Sequence, residues 1–146
     1  MTRNKAATMF VLAAAALAAP AQAASLPRSG VFVYRNFCIE KESADTAGIG
    51  LIVIRSSVGD EALYYYSEGA IELPLLADEL TINAAGHLKA HFASVEKDVP
   101  TDARLEADLS TEAAIVTVNN DRSVEPGTKL PRVTNLGSRI PACKPR

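Results

Sequence analysis

Residues 48–70, GIGLIVIRSSVGDEALYYYSEGA, decide the fold class. Residues 49–55 form a β-branched apolar run, and residues 62–67 form a second run carrying three tyrosines. Between them, Ser56-Ser57-Val58-Gly59-Asp60 has the composition of a turn. Two β-prone runs joined by a short, glycine-containing turn predict an antiparallel hairpin.

The same pattern continues downstream. Leu80, Ile82 and Ala84 alternate with Glu79, Thr81 and Asn83; after Ala85-Gly86-His87, residues Leu88, Ala90 and Phe92 alternate with Lys89, His91 and Ala93. This predicts a second hairpin. A third pairs residues 104–109, with Leu105, Ala107 and Leu109 inward, against residues 115–118. Residues 74–84, with Pro74 at a first turn, and residues 102–114, rich in Ala, Leu, Glu and Asp, also admit helices. The strict period of two favours strands in both. Val99-Pro100-Thr101-Asp102, Asn119-Asn120-Asp121 and Pro126-Gly127 punctuate the chain, and residues 129–133 suit a last short strand.

Upstream, residues 31–39 form the first strand. Val31, Val33, Phe37 and Ile39 lie on one face, and Phe32, Tyr34, Asn36 and Cys38 on the other. The sum is an all-β chain, an antiparallel meander of about eight short strands in a small, closed or partly closed barrel. Without strand–helix alternation, a parallel doubly wound sheet is not expected.

The first 23 residues have a different character. A basic start containing Arg3 and Lys5 precedes a nearly continuous apolar segment over residues 6–19. Pro20 and the small-x-small sequence Ala21-Gln22-Ala23 follow. This is the pattern of a secretory signal peptide cleaved after Ala23, too short for a membrane span. No cysteine follows the cleavage region until Cys38, so a lipoprotein anchor is not expected. Removing 23 of 146 residues leaves 123, one domain (24–146) with an irregular tail at 134–146. Two of the 15 basic residues leave with the leader, so 13 face 17 acidic ones, a formal charge of −4. A mildly acidic domain with no basic stripe is a poor partner for nucleic acid or anionic membranes. The leader points to a periplasmic or secreted bacterial product.

In such a compartment the two cysteines, Cys38 and Cys143, are expected to pair. The bridge closes a loop of roughly 100 residues, an entropic constraint of at most about 4–5 kcal/mol. It ties the C-terminal tail to the first strand.

Chemistry-bearing motifs are sparse. His87 and His91 are the two histidines. On a strand they share a face but sit four rises apart, about 13 Å, too far for one zinc ion, and HExxH is absent. Neither a GxSxG elbow nor a phosphate-binding glycine loop occurs. No metal and no cofactor are expected. The tyrosine run offers a binding surface instead. With Tyr65 in the core, Tyr64 and Tyr66 would be displayed on the other face, and with Arg55 and Tyr34 they form the candidate surface, since Tyr and Arg are enriched at binding hot spots. The competing reading is that strand tyrosines simply pack. The functional expectation is a non-enzymatic protein-binding or envelope accessory module with an unknown protein partner. A lipocalin-like carrier of a small apolar ligand is the alternative, and a periplasmic hydrolase without a recognisable motif comes third.

Overall fold

The computed structural model describes residues 26–69, 74–96, 99–119 and 124–144. The leader expected at 1–23 with its cleavage position, residues 120 and 121 of the expected Asn-Asn-Asp turn and the last two residues of the tail lie outside them. Among the described residues ten strands follow one another: β1 (Gly30–Arg35), β2 (Cys38–Ile39), β3 (Thr46–Ser56), β4 (Gly59–Gly69), β5 (Leu75–Leu76), β6 (Glu79–Ile82), β7 (His87–Glu96), β8 (Val99–Leu109), β9 (Ala113–Asn119) and β10 (Thr128–Pro131). No helix occurs among the described residues. Both stretches that admitted helices are strands, or strands and their turns, as the period of two required.

The strands form two five-stranded antiparallel sheets, β1-β3-β4-β5 with β2 beside β3, and β10-β9-β8-β7-β6. The 48–70 hairpin is the longest ladder of the first sheet, in register from Thr46↔Gly69 to Ser56↔Gly59. Its turn is fastened by Ser56, whose hydroxyl donates to the Gly59 carbonyl (2.7 Å) and accepts from the Val58 amide (3.3 Å).

The strand count exceeds eight because two segments break. Between β1 and β2, the Asn36 side chain replaces its own carbonyl as acceptor for the Ile49 amide (2.8 Å). A Cβ on Gly48 would stand 2.8 Å from that Asn36 Oδ1, and Gly48 has φ +125°, so glycine is required there. Between β5 and β6 the chain changes sheets: the Ala77 amide donates to Ala62 in the first sheet and the Asp78 amide to His91 in the second. At the opposite side a single bridge, Tyr34↔Arg132, joins β1 to the chain just after β10. These corners bring the sheets face to face without closing them into a barrel. Val99 to Asp102, read from sequence as a loop, is strand: Val95↔Pro100 and Ala93↔Asp102 extend the β7–β8 ladder.

Between the sheets lies one apolar core. Phe32, Tyr34, Ile49, Leu51, Val53, Ala62 and Tyr64 from the first sheet meet Leu88, Ala90, Phe92, Leu105, Ala107, Leu109, Val116 and Leu130 from the second. Tyr34, Phe92, Leu51, Leu88, Leu105, Leu130, Val53 and Val116 are almost completely excluded from solvent. Large side chains therefore fill the space between the sheets.

The disulfide Cys38–Cys143 is present, with 105 residues of sequence separation. It clamps the tail along the first sheet's edge. The Val133 amide donates to Val33, the Ile39 amide to Pro141 and the Cys143 amide to Ile39. Among the described residues no helix is long and apolar enough to cross a membrane.

Candidate functional site

The tyrosine run is oriented opposite to the expectation. Ala62, Tyr64 and Tyr66 point between the sheets: Tyr64 is 2% exposed, its ring 5.7 Å from that of Phe92 and 6.4 Å from that of Tyr66, which packs against the core. Tyr65 points outward with Leu63. Tyr34, also in the candidate set, is fully buried, and its hydroxyl donates to the Ser110 carbonyl at 2.7 Å. Burial pushes that phenol up to about 12, against the pull of nearby Arg132. Arg55 is half-buried at the end of the ladder and pairs with Asp60 across it at 3.4 Å. Tyr64, Tyr66, Arg55 and Tyr34 therefore make no common displayed surface.

The cause is a glycine. Gly50 lies directly across the ladder from Tyr65, and a Cβ on Gly50 would fall 2.2 Å from the Tyr65 ring. A strand glycine marks close approach of another group, and here the approaching group is the aromatic ring. Tyr65 lies over the bare backbone, its ring 5.2 Å from that of Phe37. Desolvation raises its hydroxyl above the ordinary value, and the neighbouring Arg35 opposes that shift. With Tyr65 spoken for on the outside, the alternation turns Tyr64 and Tyr66 inward.

The outward face of the first sheet carries an apolar band, which residue-by-residue pairing lines up in rows. Val33↔Ile52↔Leu63↔Leu76 crosses β1, β3, β4 and β5; Val31↔Ile54↔Glu61 lies on one side of it and Arg35↔Gly50↔Tyr65 on the other. None of these side chains belongs to the core between the sheets. Val31 is 59% exposed and Leu76 58%; Ile52, Ile54 and Leu63 in the middle are half-buried by their neighbours, and Val33, on the β1 side beside the clamped tail, is buried. Strands whose two faces are both apolar are uncommon in a two-layer antiparallel fold, where one face ordinarily meets water.

The second sheet's outward face is charged instead. Glu79↔His91↔Arg104↔Asn119 forms one cross-strand row, and Thr81↔Lys89↔Glu106↔Thr117 the next. All of these but Thr117 line an open groove of about 440 Å³. On this face Lys89 pairs with Glu106 (3.1 Å), and the His87 ring contacts Asp108 (2.8 Å) and, at longer range, Glu106 (4.0 Å). His91 is held at both ring nitrogens, Nδ1 by Asp78 (2.8 Å) and Nε2 by Asp102 (2.7 Å). The hydrogen bond to Asp102, helped by Asp78, raises its pKa above 6.5 against a smaller desolvation effect. A doubly donating imidazolium fits that geometry. Sequence reasoning placed both histidines on a polar face but missed these partners, because Asp78 arrives from the corner before β6 and Asp102 from β8. Among the described residues no three His, Cys, Asp or Glu side chains are grouped to hold a metal ion.

No family model, curated protein or solved structure matches the chain.

Proposed function

We propose that the chain is an exported, disulfide-tied β module that binds protein through the outward face of its first sheet. The observation that carries this reading is the Ile52–Leu63–Leu76 row with Val31, Ile54 and Tyr65 beside it, an ordered apolar band on the side away from the core. Exposed contiguous apolar surface favours association, and aromatic and aliphatic side chains on a rigid sheet lose little conformational freedom on docking. Export to the periplasm or medium is supported by the 1–23 leader and by the disulfide, which is rare in reducing compartments. The interior, filled by Tyr34, Phe92 and six large aliphatic side chains, favours protein binding over carriage of a small apolar ligand. Carboxylates already occupy both ring nitrogens of His91, which leaves it no free nitrogen to serve as the base of a hydrolase.

The test uses Leu76→Lys and Val31→Lys, both at exposed positions, with Lys89→Glu on the charged face as control. Affinity capture from the exporting cell's envelope extract should be lost with either lysine variant and kept with the control. Capture that survives both lysine variants, or is lost only with the control, would sink the reading.

A further inference from the structure

We infer that the occupant of this apolar face is a second copy of the same chain, placed across it by a two-fold axis. The inference rests on the docking reading above and adds the identity of the partner. Its support is the placement of two charges. Arg35 stands at the β1 corner of the band, in the row of Gly50 and Tyr65; Glu61 stands at the diagonally opposite corner, on β4, in the row of Val31 and Ile54. Arg35 is half-buried and Glu61 exposed, and neither has an ion-pair partner among the described residues.

Ile52 lies midway between them: β3 separates β1 from β4, and Ile52 is two residues from both Gly50 and Ile54. A two-fold axis in the plane of the contact, passing over Ile52 and perpendicular to the Arg35–Glu61 diagonal, exchanges the two corners. Each Arg35 then meets the Glu61 of the other copy, and the two Ile52–Leu63–Leu76 rows cross over Ile52. The face is self-complementary, as an isologous contact demands. Strand spacing and rise put the diagonal about 35° off the strand direction, so the strands of the two copies cross at roughly 70°, near the orthogonal class of sheet packing. The band covers roughly 400 Å² per copy, which puts the contact at the small, reversible end of specific interfaces. A concentration-dependent dimer is therefore expected, not a permanent one.

The experiment is sedimentation equilibrium of the purified protein from micromolar to millimolar concentration, with Glu61→Arg, Arg35→Glu, the double exchange, and Leu76→Lys. Far-UV circular dichroism and melting check that each variant folds. The wild type should self-associate reversibly, and each single reversal should weaken dimerisation at least about tenfold, because like charges then face each other. The double exchange should restore it, and Leu76→Lys should abolish it. A monomer at every concentration overturns the inference, as does a double exchange no better than either single variant. If the wild type is monomeric while Leu76→Lys still abolishes capture of another protein, the second copy fails and the docking face stands. If the wild type is monomeric and capture survives Leu76→Lys, both fail.

Discussion

Replacing Tyr64 with alanine separates the observed orientation of the tyrosine strand from its mirror alternative. Tyr64 is 2% exposed and in ring contact with Phe92 at 5.7 Å and Tyr66 at 6.4 Å. Deleting the ring forfeits its burial, leaves a cavity between two rigid sheets, and removes two aromatic pairs. Truncations of this kind cost about 3–5 kcal/mol. Tyr65, half-buried on the outward face, should cost roughly half as much when truncated, because much of its ring already meets solvent and little cavity is left. For a domain of this size one kcal/mol corresponds to about 3–5 °C in melting temperature, so Tyr64→Ala should melt about 10–20 °C below the wild type. The assay is urea and thermal unfolding of the disulfide-intact proteins followed by circular dichroism. A Tyr65→Ala variant less stable than Tyr64→Ala, or a Tyr64→Ala variant within about 1 kcal/mol of the wild type, would refute the orientation.

Three further outcomes follow from particular contacts. Gly50→Ala should destabilise the protein by about 1–3 kcal/mol, since its Cβ collides with the Tyr65 ring. It should also lower the Tyr65 phenol toward its ordinary value in a spectroscopic titration; an unchanged titration would contradict the stacked geometry. Reducing Cys38–Cys143 should lower unfolding free energy by up to about 4–5 kcal/mol in urea melts with and without reductant, and a midpoint that does not move would show that the clamp is idle. For His91, the raised folded-state pKa means that its stabilisation is fully present below the unfolded value of 6.5 and is lost as pH rises through the folded value. Asp102 and Asp78 hold the ring, while Glu79 and Arg104 lie across from it on the neighbouring strands. The melting gap between wild type and His91→Asn should therefore be widest on the mildly acidic side and close toward alkaline pH. A gap that grows with pH, or an NMR titration of His91 at or below 6.5, would contradict this.

The periodicity of residues 49–55 and 62–67 sufficed for the central hairpin, because a glycine-bearing turn between β-branched runs leaves few alternatives. The disulfide was equally legible, from compartment and cysteine count. The inward direction of β3 and β4 was not. Ile49, Leu51 and Val53 on one face compete with Ile52 and Ile54 on the other, and hydrophobic alternation cannot choose between two apolar faces. The clue was Gly50, which signals close approach of a neighbouring group, but its partner Tyr65 is identifiable only once the register Gly50↔Tyr65 is known. The Asp78–His91–Asp102 arrangement has the same character: its members come from separate segments, and only the ladder brings them within hydrogen-bond reach. The two breaks, at Asn36 and at Ala77-Asp78, depend on side-chain-to-backbone substitution and a change of sheet. Strand propensity does not encode either event.

The role of the first sheet's outward face is decided by side-chain footprinting of both outward faces, with the protein dilute and then with its captured partner or at self-associating concentration. Val31, Ile54, Tyr65 and Leu76 on the first sheet should lose labelling on association, while Lys89, His91 and Glu106 on the second keep it. Protection confined to the charged second sheet, with the apolar band labelled as before, would contradict that role.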